Sequence, residues 1–184
     1  SNTMGFSNTA LGSESLYSNI SGIENTAVGS SALYANTNGR SNTAIGLQAL
    51  YSNNLGNNNT SMGFNSLGTN SSGSDNTALG TVALKNNFTG NGNTAVGMEA
   101  LYNNTTGNSN TAHGFEALFN NTTGTQNTAV GSYALTDVTT SSYNTAIGSG
   151  AGNGSVHDMG WNNTLIGANT QANAPGIFNS IALG

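Results

Sequence analysis

Cysteine is absent from this chain of 184 residues, which excludes a disulfide framework and thiolate metal sites, and permits an exported location without requiring it. Positive charge is nearly absent too. Arg40 and Lys85 are the only cations against seven acids, for a net charge of −5. No basic patch exists to neutralise phosphates, so a nucleic-acid partner is excluded. Proline occurs once, and the charged fraction of 5% and hydrophobic fraction of 35% fall short of what a conventional packed core draws on. No apolar run approaches the roughly 20 residues of a membrane span, so this segment carries no membrane insertion. No secretory leader is legible ahead of the first repeat.

What is there is Asn, Ser, Thr and 26 glycines, arranged with a strict period. NTAVG at 25–29 returns as NTALG from Asn8, NTAIG from Asn42, NTSMG from Asn59 and NTAHG from Asn110. The opening asparagines are Asn8, Asn25, Asn42, Asn59, Asn76, Asn93, Asn110, Asn127 and Asn144, always seventeen residues apart. A disordered polar tract needs no such register. The phrase then returns as NTLIG from Asn163, after nineteen residues, and as SIALG from Ser180. The spacing divides the chain into regular coils over 1–152 and, over 153–184, an irregular capping loop with two variant coils that continue into a further segment.

Numbering each coil from its opening asparagine, position 2 is Thr and position 5 Gly in all nine copies. Position 4 is Leu11, Val28, Ile45, Met62, Leu79, Val96, His113, Val130 and Ile147, and position 9 is Leu from Leu16 to Leu135. Positions 2–4 and 8–10 are each too short for a helix and are separated by turn formers, Gly at 5 and an Asn/Thr/Gly stretch at 11–17. The pattern reads strand, turn, strand, turn. It predicts an all-β parallel β-solenoid, a β-roll of seventeen-residue coils that bury their apolar face by stacking. With strands about 4.8 Å apart, nine coils make a rod roughly 40 Å long.

Strand alternation predicts that bulky position 4 faces the coil interior opposite position 9, while small position 3 points outward. A solvated outward column should vary in size, so one that stays small implies close approach by another surface. Ala10, Ala27, Ala44, Ala78, Ala95, Ala112, Ala129 and Ala146 are therefore the candidates for an interface between chains, three rolls around one axis forming a closed homotrimer. The competing reading is a monomeric solenoid that needs Ala for tight turns. The opening asparagines, Asn8 through Asn144, are expected to stack as an amide ladder and to close Asx turns.

Little in the sequence suggests chemistry, and the chain reads as a non-enzyme without cofactor or metal. His113 stands among aliphatics, which predicts a histidine at the interior or its edge. His157 and Asp158 lie in the irregular stretch 153–163, too poor in ligands for a metal and better read as a loop covering the last coil. Glu99 and Glu116 share position 7 one coil apart and, without a cleft, are solvated charges rather than a glycosidase pair. Position 10 supplies Tyr17, Tyr34, Tyr51, Tyr102 and Phe119, aromatics that suit contact with a glycan or protein receptor, or cover for the rim between neighbouring chains.

The phrase N-T-A-[VIL]-G-x-x-A-L, closest in SIALG at 180–184, resembles the left-handed parallel β-roll heads of trimeric autotransporter adhesins. The longer unit, as in LYNNTTG at 101–107, is similar to repeats in phage-type tail fibres and large surface proteins ending in a self-cleaving chaperone. The resemblance implies an extracellular fibre segment of a cell surface, virion or injection device, one that mediates or spaces attachment to a host-surface glycan or protein. A second function class stays open. If the threonines face out, they form a regular hydroxyl and methyl array such as ice-binding solenoids present, over an interior filled at that strand by Ala10, Ala27 and Ala44 alone.

Overall fold

The computed structural model describes residues 4–154, 159–171 and 176–184. Position 2 opens a three-residue strand in every coil: β1 (Thr9–Leu11), β2 (Thr26–Val28), β3 (Thr43–Ile45), β4 (Thr60–Met62), β5 (Thr77–Leu79) and β6 (Thr94–Val96). The series continues through β7 (Thr111–His113), β8 (Thr128–Val130), β9 (Thr145–Ile147), β10 (Thr164–Ile166) and β11 (Ile181–Leu183). All eleven lie in one parallel sheet in sequence order, with like positions paired: Thr26 against Thr43, Ala27 against Ala44, Val28 against Ile45. No helix occurs among the described residues. The chain is the parallel β-solenoid that its period predicts, and β9 and β10 keep the register across the nineteen-residue interval.

The expected second strand at positions 8–10 is not formed. Leu at position 9 is left-handed in eight successive coils, φ running from 50° at Leu16 to 53° at Leu118. Position 7 shares that conformation, as at Gln48 (φ 58°) and Glu99 (φ 60°). Two left-handed residues in three bend the backbone too sharply for an extended strand. A non-glycine residue in this region costs about 1–2 kcal/mol. Burying the leucine side chain, fully enclosed from Leu33 to Leu135, offsets that by about 1.5–3 kcal/mol. These bends still bond from coil to coil: Leu50 N–H donates to Ser66 O at 3.0 Å and Ser52 N–H to Gly68 O at 3.0 Å.

The interior is the reverse of the one expected at the strand. Ala27, Ala44, Ala78, Ala95, Ala112, Ala129 and Ala146 are fully enclosed, whereas Thr at position 2 and the aliphatic at position 4 point outward. The coil is flat, and in the regular coils the alanines of position 3 meet those of position 8 across a narrow gap; in the variant coil of β10 Leu165 takes position 3, equally buried, with Thr170 at position 8. The one coil with Ser in place of Ala at position 3 confirms the pairing. Ser61 donates to Ser66 O at 2.8 Å, and the two hydroxyls stand 2.5 Å apart, so the exchange at position 3 is answered at position 8.

Two asparagine ladders complete the interior. At position 1, Asn42 Nδ2 donates to Asn25 Oδ1 (3.1 Å) and to Gly56 O (2.8 Å), while Asn42 N–H donates to the same Asn25 Oδ1 (3.0 Å). At position 12, Asn53 Nδ2 donates to Asn36 Oδ1 (2.9 Å) and also to Gly56 O (3.0 Å). One carbonyl at position 15 thus joins both ladders. A Cβ on Gly56 would collide with Asn53 Oδ1 and with Gly73 O, which explains why Gly holds that position. Buried polarity here is bonded rather than merely tolerated. The position-12 ladder stops where Val138 replaces the asparagine, leaving Asn121 Oδ1 buried without a partner.

Candidate functional surfaces

Two outward features stand on this frame. The first is the sheet face formed by positions 2 and 4. Leu11, Met62, Val130, Ile147, Ile166 and Leu183 are exposed along it, with Val28, Ile45, Leu79 and Val96 half-buried between them. No charged residue enters either column from β1 to β11. His113, expected at the interior edge, is exposed here because position 4 points out. The hydroxyls of Thr26, Thr43, Thr60, Thr77, Thr94, Thr111 and Thr128 are half-buried and make no hydrogen bond to another described residue. They recur about every 4.8 Å along the axis.

The alanines singled out from the sequence do not belong to this face. Apart from Ala10 in the exposed first coil, they are sealed inside their own chain, and no other chain can reach them. The interface assignment to Ala27, Ala44, Ala78, Ala95, Ala112, Ala129 and Ala146 is therefore corrected: the surface lies on the other side of the same strands. The asparagines do form the ladder their register predicts, fully buried from Asn25 to Asn144 and half-buried at Asn8.

The second feature is an aromatic ladder at position 10. Tyr17, Tyr34 and Tyr51 stack with ring centroids 5.2 and 5.0 Å apart and planes within 5°. Packing between its neighbours pushes the Tyr34 phenol up, with the Glu14 carboxylate adding to the effect. Gly68 interrupts the stack. Lys85 then lies over Tyr102, its Nζ 5.5 Å from the ring centroid and 3.4 Å from the phenol oxygen, and Tyr102 stacks on Phe119 at 5.2 Å. Coil registry places these rings face to face, as the repeat of position 10 predicts.

Glu99 and Glu116 stand one coil apart on an open surface. Partial burial raises the Glu116 carboxyl above its ordinary value, and the neighbouring Glu99 carboxylate raises it further. Among the described residues no group of three or more His, Cys, Asp or Glu side chains converges as a metal site. His157 and Asp158 lie outside the described residues. Met159 is buried and fills the space beside Gly152, where the leucine column lacks its side chain. No described helix is long and apolar enough to cross a membrane. No protein-family model, curated protein or solved structure matches the chain.

Proposed function

We propose that this chain is a structural and adhesive fibre segment, extracellular, on a cell surface, virion or injection device. In it, stacked coils hold a contact surface away from the parent body and copies associate side by side as a homotrimer. The observation that carries the reading is the uncharged, in-register outward face of the sheet. Eleven strands at about 4.8 Å span roughly 48 Å. With a breadth of about 10 Å across positions 2 and 4, two such faces bury about 1,000 Å², the size at which an interface becomes specific. Isolated exposed aliphatics need no explanation, but a column of partly to fully exposed aliphatics interrupted only by His113 does. The aromatic ladder at Tyr17, Tyr34, Tyr51, Tyr102 and Phe119 is the surface offered to a glycan or protein receptor.

Light scattering coupled to size exclusion tests the association. The expected mass of residues 1–184 is three chains, falling to one in Val96→Arg with the circular dichroism unchanged. Val96 faces out, so this variant should fold, whereas Ala95→Arg would force a charge into the coil interior and unfold it. A monomeric parent chain, or a Val96→Arg mass equal to the parent's, refutes lateral association. A second reading has its own observation. The outward threonine hydroxyls recur once per coil, about 4.8 Å apart, without partners among the described residues. Thermal hysteresis by a monomeric chain, abolished in Thr94→Lys, would establish ice binding in place of the fibre.

A further inference from the structure

The break in the aromatic ladder has the form of a site. Tyr51 presents a ring face that would be covered by the next residue at position 10, and that residue is Gly68. The following one, Lys85, lies two coils above Tyr51, about 9.6 Å away at ordinary strand spacing. A ring placed midway would stand about 4.8 Å from each wall, as the rings of Tyr17, Tyr34 and Tyr51 do at 5.0–5.2 Å. The missing side chain leaves a slot one ring thick.

Its polar groups are distinctive. Asn65 folds toward Gly68, its Oδ1 lying where a Cβ on Gly68 would be, so the amide forms the back of the slot. That amide makes no hydrogen bond to another described residue, and it is half-buried. The upper wall is Lys85, whose ammonium lies over the Tyr102 ring of the next coil, 3.4 Å from that phenol. Lys85 forms no ion pair among the described residues, although the chain carries seven acids and only one other cation. A flat aromatic floor, an amide without a partner among the described residues and an ammonium that no carboxylate neutralises suit a ring that has one C–H face, several hydroxyls and one negative charge.

The geometry points to this slot as a binding site for a single acidic sugar ring, a hexuronate or a similar carboxylated pyranose, free or at the end of a glycan. The C–H face stacks on Tyr51, ring hydroxyls bond the Asn65 amide, and the carboxylate accepts a charge-assisted hydrogen bond from Lys85. An aromatic side chain from another protein would fill the same thickness, but would leave the amide without a partner and the ammonium without a counter-charge, a cost that the sugar avoids. The inference rests on the attachment reading above, and supplies it with a ligand class.

Titration of residues 1–184 with sodium glucuronate, followed through the Asn65 side-chain amide by NMR and by saturation transfer to the sugar, is the test. Saturable shifts are expected below roughly 10 mM, with glucose binding about tenfold more weakly because it lacks the carboxylate. Lys85→Gln should erase the preference for glucuronate over glucose. Gly68→Tyr should abolish binding by continuing the stack. Tyr51→Leu, which keeps an apolar side chain on an exposed column, should do the same without altering the back of the slot. No response at saturating glucuronate, or binding retained in both Gly68→Tyr and Tyr51→Leu, overturns the site. An oligomer of three chains that ignores glucuronate removes the slot and leaves the fibre, whereas a monomer that binds it removes the lateral association and leaves the slot.

Discussion

The position-12 asparagine ladder makes the same substitution cost different amounts at two heights. In mid-ladder, Asn87 Nδ2 donates to Asn70 Oδ1 and to Gly90 O, both at 2.9 Å, and Asn87 Oδ1 accepts from Asn104 Nδ2 at 2.7 Å. Asn87→Ala deletes three bonds at about 1 kcal/mol each and strands Asn70 Oδ1 at about 1–3 kcal/mol, a loss of about 4–6 kcal/mol. At the ladder's end, Asn121 donates to Asn104 Oδ1 at 2.8 Å and to Gly124 O at 3.1 Å, but its own Oδ1 has no partner. Asn121→Ala strands Asn104 Oδ1 yet removes an orphan already present, so only the two bonds count, about 2 kcal/mol. The expected difference is about 2–4 kcal/mol between chemically identical changes. Solenoids unzip from weak coils, so amide hydrogen exchange of the adjacent coils should accompany the guanidinium midpoint. Equal losses, or a larger one at Asn121, would refute the claim that ladder continuity sets the stability of these amides.

Two further perturbations follow from local geometry. Gly97→Ala places a Cβ 2.5 Å from Gly114 O at φ 130°, and should destabilise by about 3 kcal/mol or more. Gly92→Ala, at φ 66° with its nearest contact at 3.7 Å, should lose only about 1 kcal/mol in the same thermal melt. A raised carboxyl at Glu116 means that the folded chain holds its proton longer than the unfolded one. Stability from that group is complete below the ordinary Glu value and is lost as pH rises through the raised one. Glu116→Gln should therefore raise the melting temperature near neutral pH and leave it unchanged near pH 3. Because the group is largely exposed, the gain should be about 0.5 kcal/mol or less.

Period, register and the asparagine columns were legible from the sequence alone, because a solenoid writes each interior requirement once per coil. Asn at 1 and 12 and Gly at 15 recur together since one carbonyl, such as Gly56 O, serves both amides and leaves no room for a Cβ. The stacked tyrosines follow from the same registry. The left-handed leucines were not legible: Leu has no preference for that conformation, and only enclosure of the side chain, from Leu33 to Leu135, selects it. Nor did strand alternation say which face was inside. It divides Thr94 and Val96 from Ala95, but bulk and hydrophobicity favoured the wrong side, since the larger apolar residue is the one in solvent. A sign of the true arrangement was present in the joint change to Ser61 and Ser66 in a single coil, which matters only if those positions touch. What the sequence determined was the repeat and its buried amides. The tertiary structure decided which face of the strand is inside, because in the regular coils the flatness of the coil, and not the hydrophobicity of its residues, limits what fits between positions 3 and 8.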